Sequence, residues 1–334
     1  VNKENEYDVI VKEEEQQEPA GARLPLRGLR VLLLERFDFA SGATGRNHGL
    51  LHSGARYAAT DKESASECIK ENMILRKVAS HCVEENDGLF ITLPEDDLAY
   101  QATFVKSCQE AGINAEIIDP ELAKRMDLGN PTIVGAVKVP DGSVDPFRLT
   151  LANIIDAKAH GAKILVYHEV LSLVKEQNRV IGVEVFDHKT KEKSKYFAPL
   201  TINAGGIWGH NIAAMAGCRV GMLKGSLLIF GHRVNNIVLN RCRKPANADI
   251  LVPGDTICLI GTHQAVWDST RSTTCASLPM GRLAAHRGRE TRAALASTRI
   301  LRAYAGVRPL VASDDDPSGR NISRGIVLLD HETR

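Results

Sequence analysis

The chain has 334 residues, 43% hydrophobic and 25% charged, so it can bury one large or two ordinary cores and is neither a small disulfide scaffold nor a disordered or fibrous chain. Forty-two basic against 41 acidic side chains leave a net charge of +1, and aromatics make up only 5%, so neither an electrostatic footprint nor a stacking platform for nucleic acid is expected. Seven cysteines without a C-x-x-C pair suit reduced thiols in a cytosolic setting better than a disulfide framework or a metal site.

Val1 to Asp8 is polar, which predicts no signal peptide, and no apolar run approaches the roughly 18 residues of a membrane span. An opening Val means either a fragment or a literally translated non-Met start. Tyr7 to Val11 reads as a strand, and Leu29 to Leu34 as a second one closing on Glu35. Between them Lys12 to Arg27, with Pro19, Pro25, four glutamates and one glycine, cannot make a clean crossover helix.

Asp61 to Val83 predicts a capped helix with Ala65, Ile69, Met73, Val78 and Cys82 facing inward, and Gln101 to Ala111 a second helix stopped by Gly112. Pro146 to His160 is the clearest helix: Asp145 caps it, Leu151, Ile154 and Ile155 line its inner face, and Gly161 ends it. Lys163 to Tyr167, Glu169 to Lys175 and Val180 to Phe186 predict a small antiparallel meander, and Pro199 to Asn203 a strand entering Ala204, Gly205 and Gly206. Lys224 to Arg233 and Asp249 to Thr262 suggest a strand-rich second domain. His263 to Ala296 follows neither a 2.0 nor a 3.6 period, and the pattern recovers at Thr298, running through RILRAYAGVRPL to GIVLLD.

The densest chemical signal is Ser41 to Tyr57, SGATGRNHGLLHSGARY, with four glycines, two histidines and two arginines directly after a strand that ends in an acid. Glycines let backbone approach a ligand closely, arginine forks suit phosphate or carboxylate, and an acid at the end of the second strand is where dinucleotide folds bind a ribose. A solvent-exposed loop is the competing reading. An imidazole near its unperturbed pKa suits proton handling at neutral pH, which makes His52 the candidate and His48 its rival, against a structural histidine that bonds the backbone or a cofactor. Cys68, Cys82 and Trp208 read as packing residues.

With DGSVDPFRLT, NAGGIWG, KGSLLI, RCRKP..ADILVPGDT and RILRAYAGVRPLVASDDDPSGRN, this loop resembles the flavoprotein A subunits of anaerobic sn-glycerol-3-phosphate dehydrogenases, within the amino-acid-oxidase group of FAD proteins. The likeness covers Leu26 to Thr262 and Ser297 onward. It implies an α/β fold in which an FAD-binding Rossmann-type domain (1–83 and 145–210) carries an antiparallel-sheet substrate or cap domain (84–144 and 211–300), with 301–334 returning to the FAD domain.

By that resemblance FAD is the cofactor and glycerol 3-phosphate is oxidised to dihydroxyacetone phosphate. Electrons leave for quinone in anaerobic respiration, through a partner flavoprotein and iron-sulfur and membrane-anchor subunits on the inner face of the plasma membrane. Glu35 and Arg36 fall where the adenosine ribose binds, Thr44, Gly45 and Leu50 near the pyrophosphate and flavin, Val170 at the adenine and Gly205 beside the cofactor. Arg56 and Tyr57 match the substrate pair, and Arg308 a second substrate arginine. Two guanidinium forks can satisfy a phosphate dianion, although a surface ion pair for Arg56 and a domain-domain pair for Arg308 compete.

The resemblance departs from its pattern after the first strand. There the family places a G-x-G-x-x-G turn, whereas this chain reads Lys12, Glu13, Glu14 and Glu15, carboxylates that repel a pyrophosphate. The family also continues beyond Arg334 into a glycine-glycine-lysine segment and a cysteine-rich region. The abrupt onset and recovery of segments 12–27 and 263–296 read as local frameshifts in a fragment, and a remnant that binds no FAD, or a related FAD oxidase of amino or hydroxy acids, is the alternative.

Overall fold

The computed structural model describes residues 5–13, 23–126, 130–177, 179–215, 221–246, 249–266 and 293–310, and the chain divides into two compact units. The first comprises Val1–Arg46 with Pro146–Met222, and the second Asn47–Asp145 with Leu223–Arg334.

The first unit is built on a parallel four-stranded sheet in the order β13 (Leu200–Ala204), β1 (Val9–Glu13), β2 (Val31–Glu35), β9 (Lys163–Val166). Its central strands are apolar without alternation, VIV and VLLL, because both faces are covered. Val9, Val11 and Val31 pack with Ala157 of helix α4 (Pro146–Ala159), whereas Ile10, Leu32 and Leu34 pack with Val170, Val183 and Val185. These last three lie on an antiparallel meander of β10 (His168–Glu176), β11 (Arg179–Asp187) and β12 (Lys193–Phe197).

Two expectations are corrected here. The strand at Lys163 joins the parallel sheet instead of the meander, whose third member is the unforeseen Lys193–Phe197. In α4 it is Ile154 and Ala157 that face the sheet, while Leu151 and Ile155 are exposed. Small Ala157 lets the helix sit close, and that contact fixes which side turns inward.

The second unit holds an eight-stranded sheet in the order β18 (Ile300–Leu310), β14 (Gly221–Phe230), β17 (Ile257–Val266), β16 (Ile250–Gly254), β15 (Val238–Arg241), β5 (Gly88–Thr92), β7 (Gly135–Val139), β6 (Glu116–Ile118). Its β15–β5 pair is parallel and the pairs from β14 through β17 and β16 to β15 are antiparallel. Leu89 and Ile91 of β5 point into one core, with Ala123 of α3 (Pro120–Arg125), and Phe90 into another, where it lies 4.6 Å centroid to centroid from Phe104 of α2 (Tyr100–Glu110). Beside it β3 (Leu50–Leu51), β8 (Gly142–Val144) and β4 (Val83–Glu84) form a small sheet.

Helix α1 (Lys62–Val78) starts where expected, with the Asp61 side chain accepting from Ser64 N at 3.1 Å, but stops earlier. Met73 and Val78 are exposed, and its buried face is Ser64, Ala65 and Asn72, so this helix serves polar contacts. The pairing of β3 and β4 with β8 also moves the expected domain boundary: residues 47–83 cluster with the second unit, and so does β18, in place of a return to the first. Segments 14–22, 267–292 and 311–334, which include most of both aperiodic stretches, lie outside the described residues.

Candidate functional site

The loop Asn47–Tyr57 is fixed at nearly every residue, all from within the second unit. Asn47 O accepts from Tyr304 Oη at 2.8 Å, Gly49 O from Val144 N at 2.7 Å, and Leu51 O from Asn72 Nδ2 at 3.0 Å. Leu50 N donates to His48 Nδ1 at 3.2 Å, so that nitrogen acts as acceptor and a neutral His48 carries its proton on Nε2.

The central contact is Ser53 N donating to Asp141 Oδ1 at 2.7 Å, with both residues buried. Arg76 donates to the backbone oxygens of Pro140 and Asp141, at 3.0 Å each, and to Asn72 Oδ1 at 2.8 Å, tying the helix to the same turn. Burial raises the Asp141 pKa above the ordinary aspartate range, and the Ser53 N–H and the guanidinium groups of Arg76 and Arg56 oppose that shift. Gly54 has φ +91°, and a Cβ there would collide with Ala65 O, so glycine alone suits the turn.

This frame buries Leu51, Ser53, Gly54 and Ala55 and leaves His52, Arg56 and Tyr57 partly exposed. The His52 ring lies 5.3 Å from that of Tyr57 and 5.9 Å from that of His48, centroid to centroid. Arg56 Nη2 donates to Ala246 O at 2.8 Å and Nη1 to Asn240 Oδ1 at 3.4 Å. The sequence-predicted trio is therefore assembled in one place. Leu50 is packed with Val238, Ile250 and Val252, so its side chain belongs to the core. Arg308 lies on β18, and its side chain is outside the described residues.

In the first unit Glu35 closes β2, buried, with Oε1 accepting from Phe37 N at 2.7 Å. The Arg36 guanidinium lies 4.7 Å from the Phe37 ring centre and 3.5 Å from Glu169 Oε1, and its buried Nε makes no hydrogen bond. Val170 follows Glu169 and is buried. Thr44 and Gly45 form a tight turn on which a Gly45 Cβ would meet Ala40 O and, at 2.8 Å, the Phe147 ring. Trp208 and Phe37 meet at a steep angle, 6.4 Å between centroids.

The sequence reading ended the first strand too early. Lys12 and Glu13 belong to β1, Glu13 in register with Glu35 and Ala204. Lys12 is buried, and a Cβ on Gly205 would collide with its Nζ. Glu14 and Glu15 lie outside the described residues. Cys68, Cys82, Cys108, Cys242 and Cys258 are free, and burial pushes the thiol of Cys68 up to about 11 and those of Cys108 and Cys242 to about 12, which suits packing. Cys218 and Cys275 lie outside the described residues. Among the described residues no cluster of three or more His, Cys, Asp or Glu could hold a metal, and no helix is long and apolar enough to cross a membrane.

Residues 20–332 match the family described as DAO, FAD dependent oxidoreductase. The chain belongs to this family. It is 60% identical over 314 residues to the A subunit of anaerobic glycerol-3-phosphate dehydrogenase from Haemophilus influenzae, covering 92% of this chain and 56% of that protein. The protein of the same name from Escherichia coli K12 gives 60% over 316 residues, 92% and 58%. The chain thus spans just over half the length of these relatives. In fold it is similar to glycine oxidase from Geobacillus kaustophilus (TM-score 0.76, 17% identity, 92% of this chain and 84% of that one). It is also similar to an L-alpha-glycerophosphate oxidase from Mycoplasma pneumoniae with FAD bound (0.72, 16%, 93% and 85%).

The cofactor of the family is FAD. The Glu35, Arg36 and Val170 cluster fits an adenosine, offering a buried carboxylate at a strand end and an unsatisfied guanidinium N–H. The pyrophosphate side does not fit, because the Lys12 side chain covers Gly205 and Glu13 stands where a glycine turn begins.

Asp141 gives a pH test. A carboxyl whose pKa is raised by folding contributes most below the ordinary aspartate range and loses that contribution as pH rises through its folded-state value. Asp141→Asn keeps an oxygen for Ser53 N, so its melting temperature relative to the parent chain should climb as pH goes from about 4 to about 7. A difference that stays flat across that range would show that folding does not raise the Asp141 pKa.

Proposed function

We propose that the chain carries the catalytic face of a glycerol-3-phosphate dehydrogenase: oxidation of sn-glycerol 3-phosphate to dihydroxyacetone phosphate, with electrons passed to quinone through partner subunits on the inner face of the plasma membrane. The observation that carries this reading is the single rigid loop holding Arg56, Tyr57 and His52 together, in a chain 60% identical to proteins of that name.

Arg56 and Arg308 bind the phosphate dianion by charge-assisted hydrogen bonds, which orient the glycerol carbons. His52 takes the proton of the oxidised hydroxyl, while His48, whose Nδ1 is engaged by Leu50 N, holds its shape beside it. Tyr57 packs against the Ala55 and Phe104 core and keeps its ring beside that of His52. FAD, when bound, supplies the two-electron oxidation.

The Lys12 and Glu13 geometry favours a second reading for the chain as it stands, a remnant that keeps the substrate face but holds FAD weakly. Purified protein should carry little FAD and turn over glycerol 3-phosphate negligibly. Replacing residues 12–27 by a glycine-rich turn and helix should recover flavin absorbance, since every ~1.4 kcal/mol of lost contact weakens binding tenfold. Stoichiometric FAD in the unmodified protein would contradict this.

In the repaired chain, Arg56→Leu or Arg308→Leu should raise KM for glycerol 3-phosphate by roughly 10- to 100-fold, the loss of about 1.5–3 kcal/mol of charge-assisted contact, and leave turnover of free glycerol nearly unchanged. Equal losses on both substrates would assign the arginines to the fold. Turnover without any need for a phosphate would favour the amino or hydroxy acid oxidase reading.

A further inference from the structure

The RCRKP..ADI segment lies outside the loop, yet it builds a network of charged groups around the buried side chains of Arg241, Asp96 and Asp249. Arg241, on β15, is fully buried and donates to Asp96 Oδ2 at 2.8 Å through Nε, and Arg243 Nη1 donates to Asp96 Oδ1 at 3.3 Å. Arg241 Nη2 also reaches Glu95 at 2.9 Å. Arg243 Nη2 continues to Asp249 Oδ1 at 2.6 Å. Asp249, 1% exposed, accepts from Ala246 N at 2.9 Å with Oδ2, and that oxygen lies 4.0 Å from Arg56 Nη2.

We infer that Asp249 is a positioning residue for Arg56, aiming its guanidinium at the substrate phosphate; this rests on the phosphate-binding reading of Arg56 above. Asp249 acts twice. Its charge faces the guanidinium, and its bond to Ala246 N fixes the residue whose carbonyl accepts from Arg56 Nη2. Asn240 Oδ1 holds the other terminal nitrogen. A relay of alternating charges thus runs from the rigid strand β15 to a side chain on the loop.

Stability alone is a weak reason for such a cluster. Buried ion pairs are often no better for stability than apolar residues of the same volume, because desolvation offsets attraction, whereas a fixed arginine needs directional partners on its inner side. Electrostatics and aim also predict opposite signs. Removing the Asp249 charge takes a negative group away from a bound dianion, so a purely electrostatic role makes Asp249→Asn bind phosphate more tightly. A positioning role makes it bind more weakly.

The experiment measures calorimetric binding of sn-glycerol 3-phosphate to the 334-residue chain, together with the nitrogen-15 NMR signals of the Arg56 guanidinium. The expected result is that Asp249→Asn weakens binding about tenfold in the parent chain but not in an Arg56→Ala background, the non-additivity of coupled residues. Asp249→Glu keeps the charge for folding while displacing the carboxylate, and it should weaken binding as well. In the parent chain the Arg56 N–H signals should exchange slowly, and they should lose that protection in both variants. Equal or tighter binding by Asp249→Asn overturns the inference. If the parent chain does not bind glycerol 3-phosphate, the substrate reading fails, and the NMR arm decides separately: unchanged Arg56 signals overturn the positioning role, and lost protection upholds it.

Discussion

One hydrogen bond organises the candidate site: the N–H of Ser53 on the carboxylate of Asp141. A buried carboxylate is costly unless it is bonded, and this one is enclosed so tightly that a Cβ on Gly88 would sit 2.6 Å from its own. The bond joins the DGSVD turn to the HSGARY loop. With Asn72 and Arg76 holding the backbone oxygens on either side, the partly exposed His52, Arg56 and Tyr57 are held by the interior before any ligand arrives. Preorganisation of this kind removes the cost of ordering three side chains at the moment of binding.

In the other unit, backbone pairing and side-chain chemistry set different limits. Its parallel sheet, its covering meander and the Glu35 terminus belong to a chain whose fold as a whole is similar to the solved oxidase structures. Strand β1 nevertheless continues through Lys12 and Glu13, which keep their ladder register with β2 and β13. Backbone pairing tolerates the change of side chain. Ligand geometry does not, since a flexible lysine stem fills the space that glycine leaves at position 205.

Local signals were legible in the sequence where one chemical pattern decides the outcome. Pro146 and Gly161 bracketed α4, the apolar runs marked β1 and β2, and the glycine, histidine and arginine density marked the loop. The inward side of α4 was not legible, because Leu151 and Ile155 look as apolar as Ile154 and only the approach of Ala157 to the sheet chooses between them. In α1 the buried face is partly polar, so an apolar count pointed at Met73 and Val78, which are exposed. The contacts that position the loop come from residues far along the chain: Asp141 lies 88 positions from Ser53, and Asn240 lies 184 from Arg56. Asp141, Asn72, Asn240 and Asp249 each stand in a turn, a strand or an ordinary helix, and no spacing rule connects them. For the same reason the domain boundary fell at 47 instead of 83, since pairing of β3 and β4 with β8 is a long-range fact.

The central claim is that the loop is held by its interior and not by a ligand. It is tested most directly by amide hydrogen exchange at Ser53 in the ligand-free chain. The account predicts an amide protected as strongly as those of the neighbouring β8 strand, with protection lost in Asp141→Ala while the eight-stranded sheet keeps its own. Exchange at Ser53 as fast as in an exposed loop would contradict it.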